Sequence, residues 1–152
     1  MAKFDLKIPL KNRFSKTKIA IILPYFNEDV GLKIYEKTRA ELLCCGVKKQ
    51  NITLVRVPGS LEIPFAASRL ARKKSCDAII ALGAIIKGET DHYTHVCRET
   101  YRGLMDVNLE TDIPVIFGVL TAKNRKQAIE RISKGKDFAR NALKMVEFCT
   151  EY

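Results

Sequence analysis

The chain has 152 residues, 47% of them apolar, and a net charge of +10. That length fits one domain that buries a core without disulfide or metal staples, and no stretch reaches the ~20 apolar residues of a membrane span. The start, "MAKFDLKIPLKNRFSKTK", is basic and lacks the apolar run of a secretory signal. Five cysteines, Cys44, Cys45, Cys76, Cys97 and Cys149, odd in number and without paired motif spacing, read as reduced thiols in a cytoplasmic protein. Cys44 and Cys45 lie in a helical pattern and are expected to be small apolar fillers. The basic residues are dispersed, with a dense cluster only from Lys11 to Lys18, and there is no aromatic RNA-binding signature. The charge therefore reads as a solvated surface, not as a nucleic-acid site. The expected organisation is a basic arm over residues 1–17 followed by one domain over 18–152.

In chain order, "KIAIIL" (18–23) is a short β-branched run and reads as a buried strand. Residues 28–46 carry apolar Val30, Ile34, Leu42 and Leu43 between charges, with Gly46 as a stop, which predicts an amphipathic helix. "ITLVRV" (52–57) predicts a strand. Residues 61–74 predict a helix with Ser60 as its N-cap and Pro64 in the first turn, where a missing N–H is tolerated. "DAIIALGAII" (77–86) is a second fully apolar strand, 91–110 a helix, and "IPVIFGVLT" (113–121) a strand. Two further helices are expected over 124–132 and 136–150, broken near Ser133–Gly135. Strands that alternate with helices and are apolar throughout imply a parallel sheet covered on both faces. Ligands in such sheets bind beyond the carboxyl ends of the strands. "PYFNED", "PGSLE", "GAIIKGETDH" and "FGVLT" all leave strands at that edge.

No dinucleotide or P-loop glycine pattern is present. "LGAIIKGETDH" places glycines, a lysine and a threonine where a strand meets a helix, and the free N–H groups of that helix suit an anion such as phosphate. His92 falls in the first helical turn, beside this candidate anion site, and reads either as a proton acceptor or as a surface histidine. His95, a turn further on, reads as structural. A metal reading needs a third ligand, and Cys97 lies on a different helical face. Phe26 is either a core residue or a ring that stacks on a flat substrate. Glu62 is either a helix-dipole partner or an acceptor for substrate hydroxyls.

Taken together, "VPGSLEIPFAA", "ALGAIIKGETDHYTHVC" and "IPVIFGVLT", with "FN" at 26–27 and "KGKDFARNALKM" at 134–145, resemble the 6,7-dimethyl-8-ribityllumazine synthase family over roughly residues 18 to 148. The resemblance implies a flavodoxin-like three-layer α/β sandwich with a four-stranded parallel sheet, assembled as homopentamers with sites between adjacent subunits. It implies condensation of 5-amino-6-(D-ribitylamino)uracil with 3,4-dihydroxy-2-butanone 4-phosphate, the penultimate step of riboflavin biosynthesis, without metal or organic cofactor and without nucleic acid or membrane. Carried over position by position, Phe26 stacks on the pyrimidine. Ser60, Leu61 and Glu62 meet the pyrimidine and its ribityl chain, and Ala84, Ile85 and Ile86 border the ring. Glu89 and Thr90 lie at the phosphate, and His92 transfers protons. Phe117, Arg131 and Lys134 come from the adjacent subunit, with Arg131 on the phosphate. Leu61 stands where an aromatic residue is common, and the turn between Arg131 and Lys134 is about five residues shorter than is usual. That short turn predicts an isolated pentamer, or a pair of pentamers, in place of a sixty-subunit shell.

Overall fold

Strands that are apolar on both sides are stable only where helices cover both sides. The structure, a computed structural model, describes residues 12–152. The basic arm expected over residues 1–17 lies outside the described residues as far as Lys11. Its last part, 12–16, is a turn that buries Phe14 in the core.

Four strands, β1 (Ile19–Pro24), β2 (Ile52–Val57), β3 (Ala78–Ile86) and β4 (Val115–Ala122), form one sheet in the order β2-β1-β3-β4, with every pair parallel. The helices are α1 (Glu28–Cys44), α2 (Ile63–Arg72), α3 (His92–Glu110), α4 (Arg125–Glu130) and α5 (Gly135–Glu151). The chain steps one way across the sheet from β1 to β2 and the opposite way from β2 through β3 to β4. Right-handed crossovers then place α1 on one face and α2 and α3 on the other, and α5 returns to the α1 face. This is the flavodoxin-like three-layer sandwich, and its strand order reverses between β1 and β3.

Side chains of one strand alternate between the two layers. Ile19, Ile21 and Leu23 of β1 pack with Val30, Ile34, Leu42, Ala139 and Leu143. Ala20 and Ile22 pack with Ala67, Ala71, Leu104 and Val107 on the other face. Arg140 Nε donates to Glu41 Oε1 at 2.7 Å and ties α5 to α1 where Glu41 is nearly buried.

The element ends differ from expectation in several places. Ser60 does not cap a helix: Ser60–Glu62 is a 3-10 turn, and Gly59 N donates to the Glu62 carboxylate at 2.9 Å. Ser60 is the first residue of that turn, with Gly59 in the cap position, so its hydroxyl does not stand ahead of the free N–H groups. Leu43 and Cys44 are exposed and fill no core, because α1 turns them away from the sheet. Cys45 is half-buried beside Glu41; burial first, then that carboxylate, pushes its thiol up to about 11. β4 begins at Val115 and not at Ile113, since Pro114 has no N–H for the ladder, although its carbonyl accepts from Ile79 N at 2.9 Å.

The last turn is tighter than the two-helix reading. α4 ends at Glu130, Ile132–Lys134 is a 3-10 turn, and α5 starts at Gly135. A Cβ on Gly135 would lie 2.8 Å from Ile34 O and 2.8 Å from Lys37 Cβ. Only a glycine lets α5 begin pressed against α1. Gly135→Ala is therefore expected to lower stability by ~1–3 kcal/mol through forced separation of the two helices. Urea unfolding checks this, and an unchanged midpoint would mean that α1 and α5 part without cost.

Candidate functional site

The carboxyl ends of β1, β2 and β3 surround an open cleft of about 380 Å³ at the point where the strand order reverses. Three segments build it.

The first is the turn after β1. Tyr25 N donates to Val57 O at 2.8 Å and Phe26 N donates to Pro58 O at 3.2 Å, so β1 pairing with β2 continues into the turn. Asn27 adopts the left-handed conformation, with φ 55°, which non-glycine residues take only at a cost and asparagine takes most readily. Its Nδ2 donates to Ala84 O at 2.9 Å and bridges the ends of β1 and β3. Phe26 is thereby left 72% exposed at the mouth of the cleft.

The second segment is the 3-10 turn after β2. Ser60, Leu61 and Glu62 line the cleft. Glu62 folds back on Gly59 N, which fixes its carboxylate at the rim, with one oxygen in the cap.

The third is the end of β3 and the start of α3. Ala84 and Ile85 are buried, and Ile86 forms part of the wall. Gly83 makes the approach possible: its φ is +152°, and a Cβ there would meet Pro24 Cγ at 3.0 Å. Beyond Lys87, Gly88 and Thr90 line the cleft, and α3 begins at His92. His92 N donates to Thr90 Oγ1 at 3.4 Å. His92 is exposed on the cleft wall, whereas His95 is not part of it and has Nδ1 3.5 Å from Arg98 Nη2.

The structure thus brings Phe26, Ser60, Leu61, Glu62, Ala84, Ile85, Ile86, Thr90 and His92 around one space. Glu89, Phe117, Arg131 and Lys134 do not line that space within the chain. Glu89 is exposed beside Thr90. Phe117, on β4, stacks on Tyr101 with ring centroids 5.7 Å apart. Arg131 Nη1 donates to Gln127 O at 3.0 Å, and Lys134 ends the 3-10 turn before α5.

Asn27, Gly59, Gly88, Tyr93 and Val96 also line the cleft and were not among the expected site residues. Tyr93 and Val96 carried a readable signal, since they share the sheet-facing stripe of α3 with Thr100 and Leu104. Burial, with the Cys97 thiol beside it, raises the Tyr93 hydroxyl above the usual phenol range, so it stays protonated in the wall. Burial likewise raises the Cys97 thiol. Among the described residues, no group of three histidine, cysteine or carboxylate side chains is placed to hold a metal ion. No helix among them is long and apolar enough to cross a membrane.

A parallel sheet with an apolar cleft at its switch point, rimmed by a histidine, a carboxylate and a helix N-terminus, defines an α/β protein with a small-molecule-sized site at its carboxyl edge. The sequence profile of 6,7-dimethyl-8-ribityllumazine synthases matches residues 16–150. Proteins of that name from Coxiella burnetii strains CbuG_Q212 and RSA 493 are each 42% identical to the chain over 142 residues, covering 90% of this chain and 94% of theirs. The chain belongs to the 6,7-dimethyl-8-ribityllumazine synthase family.

The Asn27 bridge separates into two effects. Asn27→Ala forfeits the bond to Ala84 and forces alanine into the left-handed region, an expected loss of ~2–3 kcal/mol. Asn27→Gly forfeits only the bond, an expected loss of ~1 kcal/mol. Denaturant melts of both variants check the order; equal losses would show that the backbone conformation carries no strain.

Proposed function

We propose that the chain condenses 5-amino-6-(D-ribitylamino)uracil with 3,4-dihydroxy-2-butanone 4-phosphate to 6,7-dimethyl-8-ribityllumazine, phosphate and water, and that the cleft at the sheet's carboxyl edge is where it does so. The observation that carries this reading is the meeting of Phe26, Glu62 and His92, from three different strand ends, around one space. Phe26 stacks on the pyrimidine, while Ser60, Leu61 and Glu62 take the pyrimidine edge and the ribityl hydroxyls. Ala84, Ile85 and Ile86 border the ring. Glu89 and Thr90 lie at the phosphate, which the Thr90 hydroxyl and the N–H groups opening α3 hold.

The amine of the pyrimidine adds to the ketone and water leaves, giving an imine. Elimination expels phosphate, and the ribityl-bearing nitrogen closes the ring with loss of water. Each step moves a proton, and His92 at the head of α3 relays it. Much of the acceleration comes from holding two substrates together. No metal or organic cofactor is needed for these steps.

Phe117, Arg131 and Lys134 act from a neighbouring subunit, with Arg131 pairing to phosphate. That none of them lines the cleft of its own chain supports a shared site, completed in a homopentamer. The chain works as a cytoplasmic enzyme, a basic arm ahead of one catalytic domain. It does not act on nucleic acid or membranes.

The direct test mixes the purified protein with both substrates and follows the lumazine's fluorescence; no product would overturn the reading. His92→Ala is expected to slow turnover by ~10²–10⁴-fold while leaving proximity and phosphate contacts in place. An unchanged single-turnover rate would remove His92 from the chemistry.

The shared site has its own test. His92→Ala and Arg131→Ala chains are co-refolded in equal amounts. Random assembly is expected to restore about a quarter of wild-type activity, because some sites then carry neither lesion. No recovery above the two parents would place both residues in one subunit's site. Light scattering is expected to give a mass near five or ten subunits, and a hollow sixty-subunit particle would contradict the effect assigned to the short turn.

A further inference from the structure

Phe26 is 72% exposed, so packing within its own chain does not set its angle. Whatever fixes the ring acts through the backbone on either side of it. One side chain reaches both sides. Arg56 lies on β2 opposite Leu23 in the parallel register. Its Nε donates to Leu23 O at 3.1 Å, and its Nη2 reaches Pro24 O at 3.5 Å. The same Nη2 pairs with Glu28 Oε2 at 2.6 Å. Its guanidinium carbon sits 4.0 Å from the centroid of the Tyr25 ring.

Arg56 therefore grips residues 23, 24, 25 and 28 and leaves Phe26 to the cleft. The side chain is only 22% exposed, so these bonds are less screened than those of a surface pair. The planar fork matters: a guanidinium can bond carbonyls and a carboxylate in its plane while its face lies on an aromatic ring, and an ammonium cannot.

We propose that Arg56 is a positioning residue for the pyrimidine, a clamp on the Tyr25–Glu28 turn that holds Phe26 at its stacking angle and touches neither substrate. This rests on the stacking role proposed above for Phe26.

Steady-state kinetics with each substrate varied in turn tests it. Arg56→Met is expected to raise KM for the pyrimidine roughly tenfold, with KM for the butanone phosphate and kcat at saturation kept within about twofold. Arg56→Lys restores a cation beside Glu28 and Tyr25 but not the fork, and is expected to fall between, at roughly threefold. In a Phe26→Ala background, Arg56→Met is expected to add less than about twofold, because the ring it positions is gone.

A merely structural arginine would weaken both substrates alike and would cost as much in the Phe26→Ala background as in the wild type; either result overturns the clamp. If Phe26→Ala leaves pyrimidine KM unchanged, the stacking role falls and the clamp with it. If Phe26→Ala raises that KM and the Arg56 variants do not, the clamp alone falls. Should Arg56→Met fail to fold, Arg56→Lys alone and in the Phe26→Ala background decides by the same pattern.

Discussion

Burial of β1 and β3 on both faces is the constraint from which the rest follows. Every residue of β1 is buried, and β3 is buried from Ala78 to Ile85. A strand in that position has no room for a charged or hydrogen-bonding side chain, because either would lie in an apolar layer without water. Polar chemistry is driven out to the strand ends. The reversal of strand order then decides which ends open onto a common space, since only where adjacent connections leave in opposite directions is there a gap between them.

The cleft inherits its precision from backbone bonds that extend the sheet. The turn after β1 keeps pairing with β2 through Tyr25 N and Phe26 N, and Asn27 closes the gap to β3. Glu62 is held at the rim by Gly59 N. The polar groups of the rim thus sit on segments whose conformation is already determined. A site of this kind loses little freedom on binding. The large exposed ring of Phe26 is the opposite of what a lone soluble domain favours, and so is the exposed Phe65 on α2. Such surfaces mark a place where something is to be covered.

Much of this was legible in the sequence because the period of apolar residues is set by the same burial. Ile52–Val57 emerges as the strand read from "ITLVRV", and Glu28 starts the helix expected there. The cleft residues that could be read were those in strand-end segments, from Phe26 to His92. The failures have local causes. Ser60 looks like a cap because serine commonly is one, but the helical turn opens one residue earlier, which puts Gly59 at the cap and Ser60 inside the turn. Cys44 falls in a helical pattern yet is exposed, since it lies two residues, about 200° around the helix, from the buried Leu42. Arg56 could not be read at all. In an edge strand an arginine looks like a solvated side chain, and its role depends on the turn after β1 that crosses it in space.

The thiols follow the same geography, with a practical outcome. Burial pushes Cys76, at the foot of β3, up to about 11, and Cys97 is raised within the wall of α3. Only Cys44 and Cys149 are exposed, on the α1 and α5 layer. α1 leaves the cleft edge at Glu28 and reaches Cys44 after roughly 25 Å of helix. A maleimide dye or spin label added to the native protein therefore selects these two exposed positions, which lie outside the cleft. The chain carries its own attachment points for a spectroscopic reporter, without a cysteine having to be introduced.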